Sequence, residues 1–174
     1  MDNAGTPLHE RLDFDVAGGE IRDGPRRYVV LRADVLMGLF DRLPTAEREQ
    51  ALQALGASVK RFGGDSVRAY LSEAGSGGLL QRMEQASASL GWGTWRLEDR
   101  ADVLLLTVDN SPFAAATQRT SGSACHAITG MLSAVASALW SADVTARELR
   151  CACEEPRSDR RCLFEVRRRP VSGV

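Results

Sequence analysis

Three features of this chain predict an α/β (α+β) fold, an antiparallel sheet packed by helices. Residues 33–90 carry long stretches of apolar residues at helical spacing. Residues 91–114 read as strand, charged turn and strand, ending in the nearly all-apolar run Val103–Val108. The last third places one helix between that hairpin and two further strand-like segments. At 174 residues with 44% apolar composition, the chain is expected to form one domain over 13–170 behind a mobile tail, 1–12.

In chain order, FDVAGGEIRDGPRRYVVLR reads as a strand, a Gly-Gly turn and a second strand centred on Tyr28–Leu31. Val35, Leu36, Leu39, Phe40 and Leu43 then mark a helix that stops at Pro44. Thr45 is placed to cap the next helix, which Gly63-Gly64 is expected to break or bend. SEAGSGG reads as a loop and LLQRMEQASASL as a separate amphipathic helix. The run Val103–Val108 suits a central strand, buried on both faces. A helix rich in Ala, Ser and Gly follows from about Ser123 to Trp140, its small side chains allowing close approach of a sheet or of a second copy. Strands near 144–153 and 161–168 complete the fold.

Composition excludes several functions. The net charge of −1 offers no generic attraction to nucleic acid or a membrane surface. No apolar run reaches the roughly 20 residues of a membrane span, and the N-terminus lacks a basic start with an apolar core, so a cytoplasmic protein is expected. Lys60 is the only lysine against many arginines, which reads as the codon bias of a GC-rich bacterium. There is no GxSxG, P-loop, HExxH or dinucleotide-binding glycine motif, so no catalytic residue is assigned and an enzyme is not expected.

The chemistry-bearing residues gather at the C-terminal end. Cys125 opens the small-residue helix, Glu148 and Cys151 lie in a strand-like ELRC, and Cys162 opens the last strand. In a reducing compartment such crowding points to metal or to buried thiols rather than disulfides. Three thiolates and a carboxylate can close a tetrahedral zinc site, but free cysteines are equally at home as small core residues. Residues three apart on a regular strand face opposite sides, so Glu148 and Cys151 converge only across a bulge or twist. Cys153, two beyond Cys151, would converge without one.

The segments CHAITGML, ELRCAC and RRCLFEV resemble the 4-vinyl-reductase domain family, most clearly over residues 123–167. Weaker likeness extends through GWG and NSPFA to the strand near Arg27–Leu31. That family includes an accessory protein of bacteriochlorophyll synthesis and the sensor domains of aromatic-hydrocarbon activators. It is related to TRAPP vesicle-tethering subunits, and its fold is the ligand-binding type of NO-signalling and Golgi-transport domains. The resemblance implies a structural Zn2+ on Cys125, Glu148, Cys151 and Cys162, with Cys153 as the alternate to Glu148. It also implies a cavity between helices and sheet for a small aromatic or planar apolar ligand. Trp92, Trp95 and Phe113 are its candidate walls and His126 its polar contact. Two features depart from the pattern: the long charged EEPRSDRR before Cys162, and the additional Cys153.

The function expected on this basis is a stand-alone small-molecule sensor or adaptor. The related activators join this domain to an ATPase and DNA-binding helices that 174 residues cannot also hold, so output is expected through a protein partner or a homodimer. The alternatives are an accessory factor in tetrapyrrole or cofactor metabolism and a scaffold subunit without a ligand. A cavity favours the first two, a filled core the last.

Overall fold

The computed structural model describes residues 6–154 and 160–168. Most of EEPRSDRR, the first five residues of the expected tail and the end of the expected domain lie outside them. A short helix α1 (Leu8–Arg11) leads into a small antiparallel sheet of β1 (Asp13–Asp15), β2 (Glu20–Asp23) and β3 (Arg26–Tyr28). Two of the residues expected in a mobile tail are thus tied down: Arg11 donates to Asp23 at 2.9 Å, and His9 meets Ser89 at 3.0 Å. The expected two-stranded N-terminal unit is three short strands, and Val29–Leu31 leaves the sheet to run exposed on the surface.

Helix α2 (Ala33–Asp41) stops before Pro44, as expected, and α3 (Thr45–Ser89) follows. Thr45 is the first helical residue rather than a side-chain cap. The break expected at Gly63-Gly64 is absent; the helix is interrupted at Gly75, inside the expected SEAGSGG loop, whose φ of 67° and ψ of 177° only glycine adopts readily. Tertiary contact explains the difference. A β-carbon on Gly63 would lie 2.6 Å from the Met131 methyl group, so this glycine makes room for a neighbouring helix. Packing therefore outweighs the roughly 1 kcal/mol of helix propensity lost at such a position.

The main sheet has the order β4-β5-β7-β6, antiparallel throughout. Strands β4 (Thr94–Arg100) and β5 (Val103–Asp109) form the expected hairpin, with Ala101 in the left-handed region at its turn. β5 is central: Leu104, Leu106 and Val108 are buried and the intervening residues are half-buried. After the short α4 (Pro112–Ala116) comes α5 (His126–Trp140), then β6 (Arg147–Arg150) and β7 (Arg161–Arg167). α5 lies against β6 and β7, α3 against β4, and the core fills the space between helices and sheet.

The small residues of α5 serve contact within the chain. A β-carbon on Gly130 would sit 2.0 Å from the Gly56 carbonyl oxygen, and one on Gly56 would sit 2.7 Å from the His126 carbonyl. The two helices therefore cross with their backbones touching, so the close approach that these small residues allow is taken up by α3. Among the described residues, no helix is long and apolar enough to cross a membrane.

Candidate metal centre and ligand cavity

Cys125 is the N-cap of α5, and its carbonyl accepts from Thr129 N–H at 3.0 Å. Its position is set by the preceding segment, which Asp41 anchors by accepting from Thr117 Oγ1 at 2.8 Å and Gln118 N–H at 2.7 Å. Glu148 and Cys151 come from β6 and the residues just after it. The bulge that their convergence requires is present: Glu148 pairs with Phe164 and Arg150 with Leu163, leaving Leu149 as the extra residue. Cys162 follows at the start of β7, opposite Val108.

Three remote segments thus bring Cys125, Glu148, Cys151 and Cys162 together, with one ligand atom from each lying within 4.8 Å of all the others. The three thiols are buried, and Cys125 Sγ stands 3.9 Å from Cys151 Sγ and 3.7 Å from Cys162 Sγ. Two thiolates each bound at about 2.3 Å with a tetrahedral angle at zinc lie about 3.8 Å apart, so these spacings suit that ion. Glu148 Oε2 accepts from the Ser123 hydroxyl and from Cys125 N–H, whereas its buried Oε1 has no partner. Ala152 N–H donates to Cys162 Sγ at 3.2 Å, and Ser111 Oγ lies 3.2 Å from Cys125 Sγ. Such outer contacts orient ligands.

Charge behaves accordingly. Burial, then the neighbouring Cys151, pushes the Glu148 carboxyl up to about 8. Hydrogen bonds from Cys125, Cys153 and Cys162 hold Cys151 low, as the shared thiolate. Cys125 is raised well above its ordinary value by its bonds to Cys151 and Cys162 and by burial. Cys162 is pushed up to about 12, the lowering by Cys125 being outweighed by Cys151 and burial. The cluster holds back most of its negative charge, which a divalent cation could draw out by displacing protons. On these grounds the four residues form a group that could hold a metal ion. Cys153, fully buried, borders the cluster from outside the group of four: it donates to Cys151 Sγ at 3.1 Å and lies 3.4 Å from the Gly122 carbonyl oxygen.

The expected ligand contacts separate. Trp92 and Trp95 line a cavity of about 510 Å³ bounded by β3, α3 and α5, with Tyr28, Phe62, Tyr70 and Met131 among its other walls. Phe113 instead packs edge-on to Trp92, centroids 5.4 Å apart, in the core. His126 does not reach this cavity. It bonds Glu49 at 3.1 Å and lines a second groove, about 480 Å³, together with Glu148, Lys60 and Gln53. Tyr28, Phe62 and Met131 had no functional signal in the sequence, because they come from β3, α3 and α5 with no motif between them.

The family model for the 4-vinyl-reductase domain matches residues 104–168, from β5 through β7. Among solved structures, the chain resembles the phenol-responsive sensory domain of the transcription activator PoxR with phenol. The TM-score is 0.74 at 19% identity, covering 92% of this chain and 86% of that one. It also resembles a vinyl-4-reductase family protein from Methanocaldococcus jannaschii, with a TM-score of 0.50 at 12% identity, covering 78% of this chain and 89% of the other. No curated protein sequence matches it significantly. The match over residues 104–168 falls on the cysteine-bearing segments from which the resemblance was read, and the fold is the mixed, helix-packed antiparallel type.

Proposed function

We propose that this chain is a small-molecule sensor or adaptor domain in which Cys125, Glu148, Cys151 and Cys162 hold a structural zinc ion. The observation that carries the reading is the aromatic-walled cavity, which shares α5 with the cluster: Cys125 caps the helix and Met131 reaches the cavity less than two turns later. Four protein donors leave zinc no open position, so the ion would act as a cross-link that fixes the start of α5. The unpartnered Glu148 Oε1 supports Glu148 over Cys153 as the fourth ligand.

The cavity suits a small aromatic or planar apolar molecule, and the PoxR domain of similar fold is described as phenol-responsive. A filled core would have favoured the scaffold reading. No chemical step is assigned to the chain on this reading, and output passes through a partner protein or a second copy. The surface strip of Val29, Val30, Leu31, Val35 and Leu39, each at least half exposed, supports a homodimer that buries it. Sedimentation at tens of micromolar should show a dimer, and Val30→Asp should shift it to monomer. A monomeric parent would remove that part of the reading.

The ligand is tested by thermal shift with phenols, alkylbenzenes, short acyl compounds and tetrapyrroles. At a hundredfold excess over Kd a ligand stabilises by about 2.7 kcal/mol, about 5–11 °C for a chain of this size. At least one class should give a concentration-dependent shift, lost in Ser66→Phe, which fills the cavity from α3. If no class shifts the melt, the scaffold reading takes its place.

A further inference from the structure

The cavity's charge balance bears on the class of molecule it would take. β2 and β3 place Asp23 directly opposite Arg26, and residues 26 and 28 share one face of β3. Asp23 would be the natural partner of Arg26, but its carboxylate is turned to Arg11 at 2.9 Å, 15% exposed. Arg11 is further held by the Tyr70 hydroxyl at 3.3 Å and lies 5.8 Å from the centre of the Tyr70 ring. Arg26, half-buried, is left with no hydrogen bond or ion pair among the described residues.

The other charged groups along the cavity are occupied. Arg27 meets Glu20 at 3.3 Å and donates to the Gly19 carbonyl at 3.5 Å. Asp65, on the α3 wall, is paired with Arg68. The Tyr28 hydroxyl, on the same face as Arg26, also makes no hydrogen bond among the described residues. Burial, then Asp23, raises its pKa, so it remains a neutral donor. The cavity lining thus combines a planar cation and a phenolic donor, neither hydrogen-bonded among the described residues, with the apolar Trp92, Trp95 and Met131.

We propose that the ligand is an apolar monocarboxylic acid, aromatic or short acyl, whose carboxylate is held by Arg26 and whose body lies against Trp92 and Trp95. The inference rests on the cavity being a ligand site. A guanidinium can hold a carboxylate through two parallel N–H donors, and pairing a half-buried cation is worth more than pairing one at the surface. A neutral phenol or alkylbenzene would leave that cation without an anion.

Matched acid and amide pairs decide the matter: benzoate and benzamide, phenylacetate and phenylacetamide, hexanoate and hexanamide, titrated calorimetrically into the metal-replete chain. At least one acid should bind about tenfold or more tighter than its amide. Arg26→Gln should remove that advantage, leave amide affinity within about threefold, and melt close to the parent. Arg26→Lys should fall between, keeping charge without the two-donor geometry. Equal binding of acid and amide, or undiminished acid binding by Arg26→Gln, overturns the proposal. If neutral phenols bind and every acid is excluded, the sensor reading stands and this one falls. If neither acids nor neutral compounds bind, both fall together.

Discussion

The two stations along α5 differ in how far their polar groups are satisfied. At its N-terminus, three buried thiols and a carboxylate converge, supported by Ser123, Ser111 and the Ala152 amide. Near its middle, Met131 borders an aromatic-walled space, also lined by Arg26, which has no ion pair among the described residues. The first arrangement is closed and suits a permanent cross-link. The second is open at the exposed Phe62 and Arg27 and suits a molecule that comes and goes. Substitutions that uncouple fold stability from ligand response are therefore the sharpest probes of this contrast.

The largest effect is expected at the cluster. Cys162→Ser removes a buried ligand, so bound zinc should fall from about one per chain to near zero. The accompanying loss of about 4 kcal/mol or more should lower the melting temperature by about 8–16 °C. Metal analysis and calorimetry check it, and an unchanged melt would break the contrast from the closed side. Glu148→Gln should impair zinc retention whereas Cys153→Ser should not, since Cys153 lies outside the group of four donors and a serine hydroxyl can still donate to Cys151. Retention lost only in Cys153→Ser would exchange their roles.

An intermediate effect belongs to the helix crossing that joins the two stations. Gly130→Ala places a methyl group against the Gly56 carbonyl, where neither backbone can yield without separating α3 from α5. Overpacking of this kind costs about 1–3 kcal/mol, read as a lower midpoint in urea at an unchanged slope. Because α3 and α5 both wall the cavity, ligand affinity should fall as well.

The smallest effect follows acidification. Burial tends to raise the Asp41 carboxyl, but the Gln118 amide, Thr117 and Arg48 outweigh it and hold the group below its ordinary value. A carboxyl depressed on folding contributes stability above its unfolded pKa and loses it as pH falls through the folded value. Asp41→Asn should therefore flatten part of the decline in stability below about pH 4, where the parent protonates this group. An identical decline in both proteins would show that the anchor ahead of Cys125 carries no such linkage.

The two regions also differed in legibility. Cysteines are few and chemically distinctive, so their spacing and the family resemblance point to one cluster, while the bulge that Glu148 needs to meet Cys151 leaves Cys153 as its alternate. The cavity is assembled from tyrosines, a phenylalanine and a methionine that in sequence look like ordinary core. Trp92 and Trp95 were found through their hairpin, whereas Phe113 and His126 were assigned by proximity to the same motifs and face other surroundings. Gly63-Gly64 shows the same limit: local propensity reads as a break, while Gly63 lies against Met131 of a helix absent from the local window. Gly75, a few residues on, is where backbone geometry does interrupt the helix.

The proposed zinc cross-link and the proposed ligand should both be visible in one spectrum. Native mass spectrometry of the chain, isolated gently from cell extract and sprayed without denaturation, reads them together. The expected species is the chain plus one zinc ion, with a further small-molecule mass that is absent from Ser66→Phe while the zinc remains. A folded, metal-free and ligand-free chain in both proteins would contradict the zinc cross-link and the ligand cavity alike.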